Sequence, residues 1–337
     1  MRRVGVIFSA ILIFLAILAL TGWGALALYY SDLPDAVRAL TARLFAVFGA
    51  AILAWYFLSK RSWRPLIVFA AAFAFLLSYW LTIEPKQDRD WAPEYARLAY
   101  ATINGEQVTV HNIRNFDYRS ETDFTPRYYD KTYDLNQLDS VDIIASYWAG
   151  DVIAHIIVSF GFAGVDFLAV SIETRRERDE SYSPIAGFFK QYELFYVVAD
   201  ERDLLGLRAN YRKDPPEDVY LYRIRPGPGA NRRRFFLDYV REINSLAKEP
   251  EFYNTLTTNC TTSVLTHSRV NPGDHSLSWK VLLSSYVPQF LYERQAVDTS
   301  LPFNELKSRS RINAAAQAAD QAPDFSQRMR AGLPLPQ

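Results

Sequence analysis

The stretch DVIAHIIVSFGFAGVDFLAVSIE, residues 151–173, alternates with period two on both sides of a glycine-containing turn. In Asp151–Phe160, Ile156, Val158 and Phe160 share one face, and His155, Ile157 and Ser159 share the other. Gly161–Asp166 reads as the turn, and Phe167–Glu173 as a second strand with Leu168, Val170 and Ile172 on one face. This is the pattern of an antiparallel hairpin. A turn centred near Gly164 makes Glu173 the cross-strand partner of His155, with both side chains on the less apolar face.

Around the hairpin the signals are mixed. Gln107–Ile113, Leu194–Ala199 and Val219–Arg225 read as strands, and Val141–Ala149 reads equally as strand or helix. Phe236, Tyr239, Val240, Ile243 and Leu246 recur at helical spacing within Arg233–Ala247, a helix that Pro250 ends. Thr261–His267 opens another helix, and Trp91–Ala101 reads as a short one. Arg114–Asn136 shows no period and reads as loop. Antiparallel strands with separate helices predict an α+β fold. By composition, the Ala-, Gln- and Pro-rich tail from Lys307 reads as mobile.

The chain of 337 residues has formal net charge zero, so nothing pulls it in bulk toward nucleic acid. Its apolar excess is concentrated at the start. Val4–Leu28, Leu44–Leu58 (extended by Thr41 and Ala42) and Pro65–Ile83 predict three membrane spans. The second is short, and snorkelling of Arg43 and Lys60 would have to extend it. A cleaved signal peptide is the rival reading of the first stretch, but it is too long for one and two further spans follow. Arg2 and Arg3 before the first span, and Lys60, Arg61 and Arg64 between the second and third, place the N-terminus in the cytoplasm. Everything after Glu84 is then periplasmic in a bacterial inner-membrane protein. The expected division is 1–84 membrane region, 90–330 periplasmic domain and 331–337 tail.

Cys260 is the sole cysteine, which excludes an internal disulfide and a multi-thiolate zinc site. No metal or phosphate-loop motif occurs, and no cofactor is expected. Within TTNCTT (257–262), Asn259 and the threonines favour a helix start, so Cys260 falls in a first turn where unpaired N–H groups stabilise a thiolate. The bland alternative is a buried, inert thiol. A thiolate nucleophile wants a histidine. His111 lies in an early strand and His275 in a loop, while His267 is ~10 Å from Cys260 along the same helix. His155 is the best candidate. Glu173 would orient it and raise its basicity, with Ser171 as the weaker alternative. Arg175, Arg202 and Arg208 could hold a phosphate headgroup or simply pair with neighbouring carboxylates.

Several runs resemble the Lnb N-terminal periplasmic domain family. They are NIRNFDY (112–118), AHI (154–156), SIETR (171–175), DERD (200–203) and YNTLTTNCTT (253–262). The resemblance extends over Trp91–Arg330 and includes Asp324-Phe325-Ser326 and Arg328-Met329-Arg330, which argues against a mobile tail. It implies a permuted papain-like, NlpC/P60-related domain with a Cys–His site. For the founding member it implies acyl transfer to the amino terminus of bacterial lipoproteins. Three spans ahead of the domain depart from that member. The expected chemistry is thiol acyl transfer: Cys260 as nucleophile, His155 as base and then acid, Glu173 orienting it, and Asn259, Thr261, Ser171 and Arg175 around oxyanion and substrate. The expected partners are membrane lipid and a lipoprotein or cell-wall peptide, with no nucleic acid. The rival readings are a papain-like amidase or peptidase of cell-wall peptide, and a non-catalytic tethered binding protein. A wide apolar groove beside Cys260 would favour lipid, and a polar cleft would favour peptide.

Overall fold

A computed structural model describes the chain apart from Met1, Asp274, Leu335, Gln337 and the side chains of Arg2 and Arg3. The charges of Arg2 and Arg3 and part of the 331–337 tail thus lie outside the described residues. Two compact units result: residues 1–86 with 182–193, and residues 87–181 with 194–337.

The first unit holds α1 (Arg2–Tyr29), α2 (Asp35–Leu58) and α3 (Arg64–Leu81). All three are long and apolar enough to cross a membrane. The second span is longer than expected. Pro34 fixes the entry and Asp35 occupies the first turn, so the helix begins nine residues before Leu44 and needs no extension by snorkelling. Small residues allow α1 and α2 to meet closely. A Cβ on Gly24 would strike the Phe45 ring, and one on Gly49 would strike Thr21. The segment 182–193 packs on these helices. Phe189 stacks on Tyr30 with ring centroids 5.9 Å apart. Lys190 Nζ donates to the carbonyls of Trp80 (3.1 Å) and Ile83 (2.9 Å), placing a cation at the C-terminal end of α3.

The second unit is built on a sheet of β1 (Tyr100–Asn104), β2 (Gln107–Arg114), β5 (Tyr128–Asp134), β6 (Leu138–Tyr147), β7 (Ala154–Phe162), β8 (Asp166–Arg175), β9 (Glu193–Ala199) and β10 (Asp218–Arg223). The order is β1-β2-β9-β8-β7-β6-β10, with β5 also pairing β2. β3 (Asp117–Tyr118) and β4 (Phe124–Thr125) form a separate ribbon. The helices are α4 (Glu201–Gly206), α5 (Gly229–Lys248), α6 (Cys260–Ser268), α7 (Trp279–Leu282), α8 (Val287–Glu293), α9 (Phe303–Arg309), α10 (Asn313–Ala318) and α11 (Phe325–Arg328). The fold is α+β.

The central hairpin has the expected register, Ile157 opposite Ser171 and Phe160 opposite Leu168. Two other segments differ from expectation. Residues 114–136 contain β5, whose partner β2 is a local neighbour; its polar side chains (Asp130, Lys131, Thr132) hide the strand because β5 lies at the sheet's margin. Residues 91–101 hold one 3₁₀ turn after Pro93 and then enter β1 rather than forming a helix.

Both faces of the sheet are covered. On one, Phe160 meets the rings of Phe236 and Tyr239 of α5 at 5.0 and 5.5 Å. On the other, Ile144, Ile157, Ala169, Val219 and Leu221 pack against Leu204, Leu205, Ile312, Ala316, Phe325 and Met329. The tail from Lys307 is therefore structural: Ala316 and Ala319 are small core residues, a role that composition does not distinguish from low complexity. Arg330 reaches into this layer. Its guanidinium bonds Asp142 (2.8 Å) and Glu201 (2.6 Å), both fully buried. Removing one partner leaves buried charges uncompensated. Arg330→Ala is expected to lower stability by about 3–5 kcal/mol, measured by denaturant titration in detergent. A loss under about 1 kcal/mol would show that Arg223, which also pairs Asp142 at 2.8 Å, suffices.

Candidate functional site

His155 is the second residue of β7, a central strand. On one side its cross-strand neighbour is Ser146 of β6. On the other, the register continues to Glu173 of β8. The His155 Nε2 lies 2.6 Å from Ser171 Oγ, and Ser171 Oγ donates to Glu173 Oε1 at 2.8 Å. Glu173 Oε1 is itself 3.7 Å from His155 Nε2, so Ser171 is the direct partner and Glu173 stands behind it.

Arg208 fixes this carboxylate. It lies on a π-helical turn (Leu207–Tyr211) and donates from Nη2 to Glu173 at 2.8 Å. Its Nη1 approaches Glu217 Oε2 at 3.4 Å. Glu217 in turn takes Ser146 Oγ and Arg212 Nη1. Arg208 holds Glu173 well below the usual carboxylate range despite burial, which alone would raise it. Glu217, with Arg208 and Arg212 beside it, is lowered to about 2.

The proton on His155 follows. An ionised Glu173 only accepts, and Ser171 has a single proton, which it gives to Glu173. Ser171 therefore accepts from His155, placing the imidazole proton on Nε2. Burial first, and then Arg208, lower the His155 pKa to about 4, so the ring is neutral at ordinary pH. Its Nδ1 has no hydrogen-bond partner among the described residues and is left as a lone-pair base. The side chain is 18% exposed. The expected rise in basicity does not occur, because the Arg208 cation and desolvation outweigh the attraction of Glu173.

Cys260 begins α6, as the local sequence implies. Asn259 caps the helix: its Oδ1 accepts from Thr261 N and Thr262 N, both at 2.9 Å, and a reciprocal bond runs from Asn259 N to Thr262 Oγ1 at 3.1 Å. Asn259 Nδ2 donates to Thr255 O at 2.7 Å. Asn259 and Thr261 thus build the cap, and two of the first-turn donors are taken by it. The Cys260 N–H keeps no acceptor other than its own sulfur among the described residues. The thiol's pKa is raised, chiefly by burial, against the lowering by N–H groups and Arg208. The helix start therefore does not generate a resting thiolate here.

The β7–β8 ladder ends at Ile157 opposite Ser171. Beyond it, the Ile156 N–H points to Cys260 Sγ. The sulfur thus touches the backbone of the residue next to His155 and lies within the fields of Arg208 and Glu173. No hydrogen bond joins Sγ to His155 among the described residues. By strand alternation the imidazole is on the opposite face from Ile156. Ile156 and Thr261 together line a cavity of about 600 Å³, walled by Ile143, Phe235, Val264 and Leu265.

The structure brings Cys260, His155, Ser171 and Glu173 to one end of β7 and keeps Arg175 out. Arg175 is buried, donating to Tyr95 O (3.1 Å) and Gln87 Oε1 (2.8 Å) with its guanidinium 4.1 Å over Trp91. Arg202 bonds Asn115 and Gln321. The other histidines are structural partners: His111 with Asp130, His267 with Asp238 and Tyr196, and His275 with Ser268. Among the described residues, no group of three or more His, Cys, Asp and Glu could hold a metal ion. Sequence reading missed Glu217 and the part played by Arg208. Only the sheet order brings β10 and the π-helical turn to Glu173, and no local pattern signals that.

Residues 124–285 match the family model of the Lnb N-terminal periplasmic domain. The match contains every residue of the Cys260–His155 cluster and leaves out the three spans and the C-terminal helices. It is narrower than the resemblance over Trp91–Arg330. Comparisons with curated proteins and with solved structures give no match.

Two outcomes follow. Ser171→Ala frees the imidazole proton to sit on either nitrogen, so activity at the site should fall about 10- to 100-fold with folding retained; an unchanged rate would sever Ser171 from the chemistry. Because the Cys260 pKa is raised and His155 is neutral, thiolate is scarce at neutral pH. Iodoacetamide labelling should rise about tenfold per pH unit between about pH 6 and 9, whereas a plateau near neutrality would indicate a preformed ion pair.

Proposed function

We propose that this membrane protein, a member of the Lnb N-terminal periplasmic domain family, is a thiol acyltransferase acting on acyl groups of lipids or lipoproteins. The observation that carries the reading is the tautomer of His155: the Glu173–Ser171 pair takes the Nε2 proton, and the Nδ1 lone pair stays open at the end of β7 where Cys260 lies. The apolar cavity bordering Ile156 and Thr261 favours an acyl chain over a cell-wall peptide.

In the proposed cycle the acyl carbonyl enters at the open end of the ladder, and a rearrangement there brings sulfur and imidazole, which approach from opposite faces of the sheet, together around it. His155 Nδ1 takes the thiol proton as sulfur attacks the carbonyl carbon. The N–H of Cys260 donates to the developing oxyanion. The ester C–O bond breaks, His155 returns the proton to the leaving alkoxide, and a thioester is left on Cys260. An amine then attacks, His155 takes its proton, and the C–S bond breaks to release the amide and restore the thiol. Since the resting pair is neutral, deprotonation accompanies attack rather than preceding it. The same reading places the N-terminus in the cytoplasm and the domain in the periplasm, where its anchor confines it to the surface that holds the substrate.

An activated acyl ester should label Cys260 as a hydroxylamine-sensitive thioester. Cys260→Ala should abolish the label, and His155→Ala should slow it about 10²- to 10⁴-fold. In cells, mass spectrometry of envelope lipoproteins scores the acceptor. Lipoprotein acylation identical in wild type and both variants would remove this substrate assignment.

A further inference from the structure

We infer that the 600 Å³ cavity is the binding site for an anionic phospholipid drawn from the bilayer, with the outer face of residues 277–286 as its membrane contact. This deepens the acyl-transfer reading by naming the donor, and rests on that reading for the fate of the acyl group.

The cavity is amphiphilic. Val264, Leu265, Val281 and Phe290 make an apolar wall, while Arg225 and Arg232 are also part of its lining. Neither arginine has a carboxylate within 4.0 Å among the described residues. Their side-chain hydrogen bonds are to neutral oxygens: Arg225 to Thr299 Oγ1 (3.3 Å), Arg232 to Gly227 O (2.9 Å) and Leu138 O (3.4 Å). Cations facing an apolar hollow fit a phosphate attached to hydrocarbon.

The segment that closes the cavity is apolar on both sides. Val281 and Val287 are buried and line the hollow. Between and before them, Leu277 (58%), Trp279 (56%), Leu282 (42%), Leu283 (51%) and Tyr286 (39%) are exposed. A helix on a water-facing surface would carry polar residues there. Large apolar side chains with Trp and Tyr suit the lipid interface instead. The chain's three candidate spans keep a bilayer close to the domain. The patch is also fixed next to the candidate site: Ser284 Oγ accepts from Ala154 N at 3.1 Å, one residue before His155, and Ser285 O accepts from Tyr147 OH at 2.9 Å.

The test uses the full chain in nanodiscs of phosphatidylcholine doped with phosphatidylglycerol carrying a photoactivatable acyl chain, the crosslinked residues being read by mass spectrometry. Crosslinks should fall in the cavity wall. Yield should drop about tenfold in Arg225→Gln/Arg232→Gln and recover in the Arg→Lys pair. Leu282→Ser/Leu283→Ser should lower capture from the nanodisc but not from lipid dispersed in detergent. Thermal melting of each variant verifies its fold. Absence of the thioester label from the wild-type chain, with crosslinking to the cavity wall intact, overturns the acyl-transfer reading alone. Equal yield from a phosphatidylcholine probe, an unchanged yield in the Arg→Gln pair, or protection by inorganic phosphate without any acyl crosslink overturns the inference.

Discussion

The Arg208–Glu173 ion pair orders the candidate site. A buried carboxylate is costly unless paired, and Arg208 pairs it at 2.8 Å. With Glu173 thereby ionised, Ser171 has a fixed acceptor, and the imidazole has a fixed tautomer. The same cation that makes Glu173 an acceptor also disfavours a second positive charge on His155. One interaction thus sets where the His155 proton is, and adds to the burial that makes the ring a weak base.

The sheet makes this possible because both of its faces are occupied. α4, the π-helical turn, α10 and α11 seal the face that carries His155, Ser171 and Glu173, and so supply Arg208 and remove water. α5 and α6 cover the opposite face and bring Cys260. Cys260 and His155 therefore arrive from opposite layers, near the point where β7 runs past the end of its ladder with β8. The sulfur sits on the Ile156 N–H next to the end of this ladder. The opening in the sheet and the position of the thiol are the same structural fact.

Much of this was legible in residues 151–173. Period-two alternation set the hairpin, and the turn near Gly164 set the register that aligns His155 with Glu173. The Asn259 cap and the helix of Cys260 were equally local. What was hidden depends on sequence-distant partners. Arg208 and Glu217 reach Glu173 from separate elements, so no spacing rule finds them. β5 has polar side chains because it is at the sheet's margin, and α10 reads as low complexity because alanine fills a tight layer. The expectation of a helix-stabilised thiolate failed for a related reason. Dipole and cap are visible in sequence, but burial, which outweighs them, is a property of the packed layers.

A neutral thiol served by a neutral imidazole would have a consequence for a protein at a membrane. A standing thiolate reacts with any electrophile or oxidant that reaches it. In the proposed cycle the proton would leave sulfur only as an acyl carbonyl receives the electron pair, which would tie reactivity to occupancy of the cavity. Binding energy from a hydrocarbon chain in the hollow then does more than hold the substrate. In the proposed cycle it would exclude water from the sulfur, strengthen the Cys260 N–H against the developing oxyanion, and draw the two sides of the ladder's open end together. The low basicity of His155, a handicap for activating a free thiol, becomes an advantage in the second half of such a step, because a weak base is a strong acid toward the leaving alkoxide. The ion pair between Arg208 and Glu173 would thus tune the site for protonating the leaving group, at the expense of resting nucleophilicity.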